Sequence, residues 1–175
     1  SLAYYINPLL MVLLGMFFLK ERLNRRQAVA LVIAGAGVAY YTVSIGQFPW
    51  ISILIAVTFA AYGLIHKMMP VLPLPGLTVE TLILSVPALA FLVWQGQTGQ
   101  GAFFHVDRYT DLILAGTCLV TGFPLLLFTI GAKRASMTLV GFMQYLAPSC
   151  TFLLAVFYYK EAFSHERLIA FILIW

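Results

Sequence analysis

Long uncharged, apolar stretches separated by short charged connections constrain this chain most. A helix needs about 20 mostly apolar residues to cross the roughly 30 Å hydrocarbon core of a bilayer. The stretches are Leu2–Leu19, two segments of Gln27–Ile65 separated by Gly46–Pro49, Thr81 to about Trp94, Leu112–Ala132, Ala135–Tyr159, and Leu168–Trp175. They predict six helical spans and the start of a seventh. Because the stretches are continuous rather than alternating, they indicate helices and not barrel strands.

The composition supports membrane insertion. The chain is 62% hydrophobic and 9% charged, whereas a soluble domain is about half apolar and a quarter charged. We therefore predict an all-α, polytopic transmembrane bundle in contact with the lipid bilayer. The net charge of +4 lies in the loops, which does not predict a nucleic-acid partner. Cys118 and Cys150 lie in separate apolar stretches, so they predict neither a disulfide framework nor a metal site.

The positive charges of the loops predict the orientation. Connections one, three and five hold seven Lys and Arg residues, and connections two, four and six hold three. Loops rich in Lys and Arg stay in the cytoplasm. We therefore predict that the odd connections are cytoplasmic and that the first span enters from outside.

A repeat with an offset of 140 residues relates the first span to the sixth. The matched pairs are Pro8 with Pro148, Lys20-Glu21 with Lys160-Glu161, and Tyr5 with Tyr145. The two copies lie five spans apart, an odd number, so they cross the membrane in opposite directions. Inverted repeats are typical of secondary transporters, which bind substrate near the midplane between the repeats.

A period of five spans predicts a ten-span protein built from two inverted five-helix repeats, of which this chain is a fragment. Residues 1–45 would hold the last two spans of the first repeat. Residues 50–175 would hold the second repeat, truncated in its final span. Glu21 and Glu161 are predicted to be structural, joining adjacent spans through a hairpin.

Four segments carry a resemblance to a known family: Ser1–Leu9, Tyr62–Lys67, Glu80–Leu82 and Gly141–Pro148. They resemble the RarD-type permeases, the chloramphenicol-sensitivity proteins of the EamA branch of the drug/metabolite transporter superfamily. The resemblance implies ten spans with both termini cytoplasmic, this chain covering spans four to ten. It also implies a multi-pass protein of the bacterial inner membrane. His66 departs from the arginine expected before Lys67.

The two matched prolines mark a candidate substrate pathway. A proline inside a helix removes a hydrogen bond and frees a carbonyl that can face a cavity. Tyr4 and Pro8 are four residues apart, as are Gln144 and Pro148, so each pair is predicted to share a helix face. The residues assigned to this pathway are Tyr4, Asn7, Pro8, Gln144, Tyr145 and Pro148. The alternative is that these prolines are packing kinks whose polar neighbours bond to adjacent helices.

Glu80 and Tyr62 complete the candidate pathway. A carboxylate within a membrane span is by default a functional hypothesis. The alternative for Glu80 is a structural role, either a structural pair or a cap in the first turn of its helix, where unpaired N–H groups favour an anion. Tyr62 is predicted to lie near the cytoplasmic mouth of the third span, beside Lys67.

The function predicted from these features is secondary transport of small organic solutes, drug or metabolite, in the efflux direction and by alternating access. No cofactor is predicted because the sequence has no phosphate-binding glycine loop. Coupling to protons stays open, and the sequence does not predict the substrate or the oligomeric state. The rival functions are a membrane-embedded lipid-modifying enzyme, which would need clustered Asp, Glu or His residues, and a membrane scaffold that does not transport.

Overall fold

The computed structural model describes residues 2–46, 48–98 and 107–160, and all of the regular structure in these ranges is helical. The elements are α1 (Leu2–Phe18), α2 (Arg25–Ile45), α3 (Trp50–Met68), α4 (Pro73–Thr98), α5 (Arg108–Arg134), α6 (Met137–Gln144), α7 (Leu146–Leu153) and a π-helical turn (Leu154–Tyr158). They form two compact units. The first unit contains α1, α2, α3, α6 and α7, and the second contains α4 and nearly all of α5.

Five helical segments in the described ranges are long and apolar enough to cross a membrane. They are α2, α3, α4, α5 and the run Met137–Tyr158, which joins α6, α7 and the π-helical turn. Helix α1 is also apolar but has 17 residues, about 26 Å at a rise of 1.5 Å per residue. The predicted all-α membrane class is confirmed, with α1 described from Leu2 onward. The predicted seventh span lies outside the described residues.

Helix α1 is the centre of the first unit, where α3 and α6 pack against it. Met11 and Val12 of α1 are fully buried, as are Ala56 and Ala60 of α3. Small residues bring the helix backbones close together, which is the usual way that helices associate in lipid. A Cβ atom added to Gly141 of α6 would lie 2.8 Å from the carbonyl oxygen of Pro8.

Helices α1 and α6 run in opposite directions. Tyr5, near the start of α1, contacts Tyr145 at the end of α6, and Gly15, near the end of α1, lies against Met137 at the start of α6. Residue numbers therefore rise along one helix as they fall along the other. This is the relation that an inverted repeat requires of its two copies.

Two lysines share an unusual backbone conformation. Lys20 and Lys160 have φ angles of 53° and 49°, and they are the non-glycine residues with positive φ in the described ranges. This left-handed conformation costs an L-residue about 1–2 kcal/mol. Each lysine follows a helical segment closed by a backbone bond, from Leu19 N to Gly15 O at 3.1 Å and from Tyr159 N to Leu154 O at 3.0 Å. The lysines are equivalent under the 140-residue offset, so the offset relates backbone conformation as well as sequence.

The connection between α3 and α4 is shorter than predicted. The apolar stretch identified in the sequence starts at Thr81, but α4 begins at Pro73, so Pro73 and Pro75 lie inside the helix and not in the connection. Prolines are accepted in a first turn because the N–H groups that they lack have no intrahelical partner there. Glu80 is consequently the eighth residue of α4 and not in its first turn, so the alternative of a capping role is wrong, whereas the alternative of a structural pair stays a prediction. Helix α4 also continues to Thr98, four residues beyond the predicted end near Trp94.

The span that starts at α6 is interrupted at Tyr145, which separates α6 from α7. Pro148 lacks the N–H group that would donate to the carbonyl oxygen of Gln144, so one bond of the helix ladder is missing. The ladder resumes with Ser149 N donating to Tyr145 O at 3.2 Å. Helix α1, in contrast, stays continuous through the matching Pro8.

Candidate functional site

Two amide side chains meet where α1 packs on α6. Asn7 Nδ2 donates to Gln144 Oε1 at 2.5 Å. Asn7 is only 8% exposed, and its Oδ1 atom is buried with no hydrogen-bond partner in the described structure. A buried amide oxygen without a partner costs free energy, so such an atom is a candidate acceptor for a bound donor. The pair is thus a polar, uncharged position inside an otherwise apolar helix interface.

Tyrosines and a proline lie close to these two amides in the chain. Tyr145 is 5% exposed, and its hydroxyl donates to the carbonyl oxygen of Tyr5 at 3.3 Å. The Tyr5 ring packs edge-on against Tyr41 of α2, with centroids 6.3 Å apart. Pro8 is fully buried beside Asn7. The site therefore combines amide and phenol groups, which bind uncharged polar groups by hydrogen bonding.

A second polar cluster lies at the first residues of α6, about two turns before Gln144. The Glu21 carboxylate accepts bonds from Met137 N at 2.7 Å, from Thr138 N at 2.9 Å and from Thr138 Oγ1 at 2.7 Å. Partial burial raises the pKa of Glu21. The bonds from Thr138 and Met137 and the positive charge of Lys67 outweigh that effect and hold this pKa below its ordinary value. Glu21 is thus stabilised as an anion at the positive end of α6.

Lys67, at the end of α3, lies at the same end of the first unit. Its Nζ donates to the carbonyl oxygen of Ala135, just before Ser136 caps α6 by accepting from Leu139 N at 3.1 Å. Connections one, three and five therefore meet in one polar cluster, as expected for loops on one side of a membrane.

Tyr62 lies one turn before His66 on α3, and their rings are 4.4 Å apart.

The structure brings together four of the residues assigned to the pathway from the sequence: Asn7, Pro8, Gln144 and Tyr145. Pro148 is also buried, in the first turn of α7. Tyr4 is 67% exposed, whereas Pro8 is buried, so the predicted sharing of a helix face does not give them a common environment. Tyr62 is half-buried in the first unit, and Glu80 is half-buried in the second.

The partner of Glu21 was missed by the sequence interpretation. That interpretation joined Glu21 to its own hairpin, but its carboxylate bonds to α6, 116 residues away. The repeated Lys-Glu pair indicated that this position matters, but it did not indicate which residues Glu21 contacts. The one local signal for the acceptor side is Ser136-Met137-Thr138, a sequence typical of a helix start.

Comparison with a protein-family model shows which family the chain belongs to. The model of the EamA-like transporter family matches residues 49–175. The chain belongs to the EamA-like transporter family. Five apolar helices and bacterial relatives make this EamA-family chain a multi-pass protein of the bacterial inner membrane, as predicted.

Curated relatives align with the whole chain. It is 43% identical to an uncharacterized transporter of Pseudomonas aeruginosa, covering 59% of that protein. It is 41% identical to the protein RarD of Streptomyces exfoliatus, covering 56%. It is 35% identical to the chloramphenicol-sensitive protein RarD of Pseudomonas aeruginosa, covering 58%. The predicted RarD-type resemblance is confirmed, and the chain spans somewhat under three fifths of the length of these relatives.

Proposed function

We propose that the protein is a secondary carrier that exports small organic solutes by alternating access, with residues 1–45 and 50–175 belonging to two inverted repeats. The observation that carries this proposal is the buried Asn7–Gln144 pair, which joins the two predicted repeats where Tyr5 meets Tyr145. Polar side chains inside an apolar helix bundle are costly and generally mark a substrate or ion pathway. The names of the family and of its relatives favour a carrier over an enzyme.

The chemistry of the site favours uncharged or zwitterionic solutes with at least one N–H or O–H group. The free lone pairs of Asn7 Oδ1 can accept a bond from such a group. The phenols of Tyr5 and Tyr145 can flank a planar solute. One relative is named for chloramphenicol sensitivity, which makes that uncharged amide a sensible first solute to test.

Glu80 is the proposed site for a coupled proton or for a basic group of the solute. It is half-buried within α4, seven residues beyond the first residue of that helix. A carboxylate at such depth in an apolar span is retained where it binds a charge. Replacing it with glutamine should uncouple transport from the proton gradient while leaving the solute's own gradient effective.

Transport by everted membrane vesicles tests the proposal. A panel containing chloramphenicol and amino acids would be offered to vesicles with the parent protein, Asn7→Ala or Gln144→Ala. We expect each variant to lose at least about nine tenths of the transport rate for the accepted solute, because each removes a bond worth a factor of ten or more.

Thr117→Val is a matched control. Thr117 lies exposed on α5, where its hydroxyl bonds to the carbonyl of Leu114 in the same helix. This control should transport at the parent rate, and all variants should be compared at equal membrane abundance. Parent-like transport by both amide variants would refute the proposed pathway, and failure of the parent to move any solute of the panel would count against the carrier.

A further inference from the structure

Glu21 joins two helices that are distant in the chain. It lies three residues beyond the end of α1, but its carboxylate accepts three hydrogen bonds from the first two residues of α6. Helices α1 and α6 belong to different predicted repeats, so this carboxylate holds the repeats together. The Asn7–Gln144 pair also joins α1 and α6, but at the opposite end of α6.

The chain around Glu21 is shaped for this contact. Lys20 takes a left-handed conformation, which turns the backbone so that Glu21 faces α6 and not its own helix. Gly15 leaves room for the carboxylate, since an added Cβ would lie 3.0 Å from Glu21 Oε2. Two backbone N–H groups and the positive end of α6 then bind the anion more strongly than a neutral group.

A tilt of α6 away from α1 at this contact would open a path to the amide pair. Helix α6 is one short helix from Met137, which Glu21 holds, to Gln144, which contacts Asn7. The break at Tyr145 separates α6 from α7, and interruptions of the helix ladder are the usual positions of helix bending. Freeing the first turn of α6 therefore allows that helix to tilt about Tyr145 without moving α7.

We propose that Glu21 is a positioning residue: it latches α6 onto α1 and keeps the amide pair closed to the membrane side that carries the α1–α2 connection. Release of the latch opens the pathway to that side. The proposal rests on the proposed carrier function in one respect, namely that the pathway passes between α1 and α6. It adds the residue that controls access from one side.

A cysteine reporter at the amide pair tests the latch. Gln144→Cys would be introduced into the full-length protein after Cys118→Ala and Cys150→Ala. A membrane-impermeant thiol reagent would then be applied to right-side-out and to inside-out vesicles. We expect Glu21→Gln to speed labelling about tenfold from the side of the α1–α2 connection and to slow it from the other side. A purely structural defect would speed labelling from both sides.

Asp107→Asn is the matched control. Asp107 also caps a helix, accepting from Thr110 N at 2.7 Å, but it caps its own helix α5. It should leave both labelling rates at the parent value. Should Glu21→Gln fail to fold, Thr138→Val removes one donor of the same contact and should shift the two rates in the same directions by a smaller factor.

Labelling needs no transported solute, so the latch is tested separately from transport. Opposite changes on the two sides support the latch, even if the amide variants transport normally. Unchanged labelling in Glu21→Gln, or equal acceleration from both sides, would overturn it.

Discussion

Protonation of Glu21 connects pH to the packing of two helices. Burial raises the pKa of this carboxyl, but the bonds from Thr138 and Met137 and the charge of Lys67 lower it to below the ordinary value of 4.5. A carboxyl with a depressed pKa in the folded protein contributes stability above its unfolded pKa and loses it as the pH falls through the folded pKa. The contribution of Glu21 is therefore complete at neutral pH and disappears in acid.

We expect Glu21→Gln to lower the free energy of unfolding by about 1–2 kcal/mol at neutral pH, a value reduced by the partial exposure of the carboxylate. The difference from the parent should begin to shrink as the pH falls below 4.5 and vanish below the folded pKa. Unfolding of detergent-solubilised parent and variant over this range measures it. A difference that stays constant with pH would show that the charge of Glu21 does not stabilise α6.

The residues of the candidate site differ in how far the sequence could predict them. Matched prolines with amide residues close to them in the chain predicted that Asn7, Pro8, Gln144 and Tyr145 belong together, because an inverted repeat brings its copies into contact. The exposure of Tyr4 and the contacts of Glu21 depend on which helices pack around them. Helices that are distant in the chain leave no local sequence pattern for such packing, so neither the exposure of Tyr4 nor the contacts of Glu21 could be predicted.

At the scale of helices, close contact between α1 and α6 depends on two glycines. An added Cβ would lie 2.8 Å from Pro8 O at Gly141 and 2.8 Å from the Met137 Cβ at Gly15. A backbone oxygen cannot move aside as the end of a flexible side chain can. We expect Gly141→Ala to lower the free energy of unfolding by about 1–3 kcal/mol, the usual cost of overpacking.

Gly122→Ala in α5 supplies the comparison, because nothing in the described structure lies within 4 Å of its added Cβ. That variant should be neutral or gain up to about 1 kcal/mol from its better helix propensity. Thermal unfolding in detergent measures both variants. Equal stability of the two would mean that α1 and α6 do not approach as closely as the structure shows.

The helix boundaries show which signals are local. Pro148 removes the bond to the carbonyl oxygen of Gln144 wherever the helix packs. Pro8 removes the same bond from α1, which stays continuous, so the break at Tyr145 also depends on packing. The start of α4 was wrong because Pro73 and Pro75 end a helix in its interior but are tolerated in its first turn. A proline therefore predicts the end of a helix when it lies in the interior and is compatible with a helix when it lies in the first turn, so its interpretation depends on where the helix starts.

At the scale of the whole molecule, the predicted inverted repeats would make the 140-residue offset a symmetry operation. It exchanges Tyr5 and Tyr145, so their contact marks where a two-fold axis between the repeats would cross. The amide pair has no such equivalent, because the offset carries Asn7 to Ala147 and Gln144 to Tyr4. The proposed solute site is thus asymmetric, even though the predicted repeats are related by symmetry. Only one of its two equivalent positions holds paired amides, which allows a solute to bind in one orientation.

The contact of Glu21 with α6 also predicts which loops share a side of the membrane. Arg22 and Arg134 flank that contact and are exposed, and Phe48 is exposed beyond the other end of α2. We expect single cysteines at Arg22 and Arg134 to react with an impermeant reagent from the same side, predicted to be cytoplasmic from the charge of the loops. A cysteine at Phe48 should react from the other side. Labelling of the Arg22 and Arg134 positions from opposite sides would contradict the packing of α1 on α6. If all three cysteines instead react from the side opposite to the predicted one, only the predicted orientation in the membrane would be wrong.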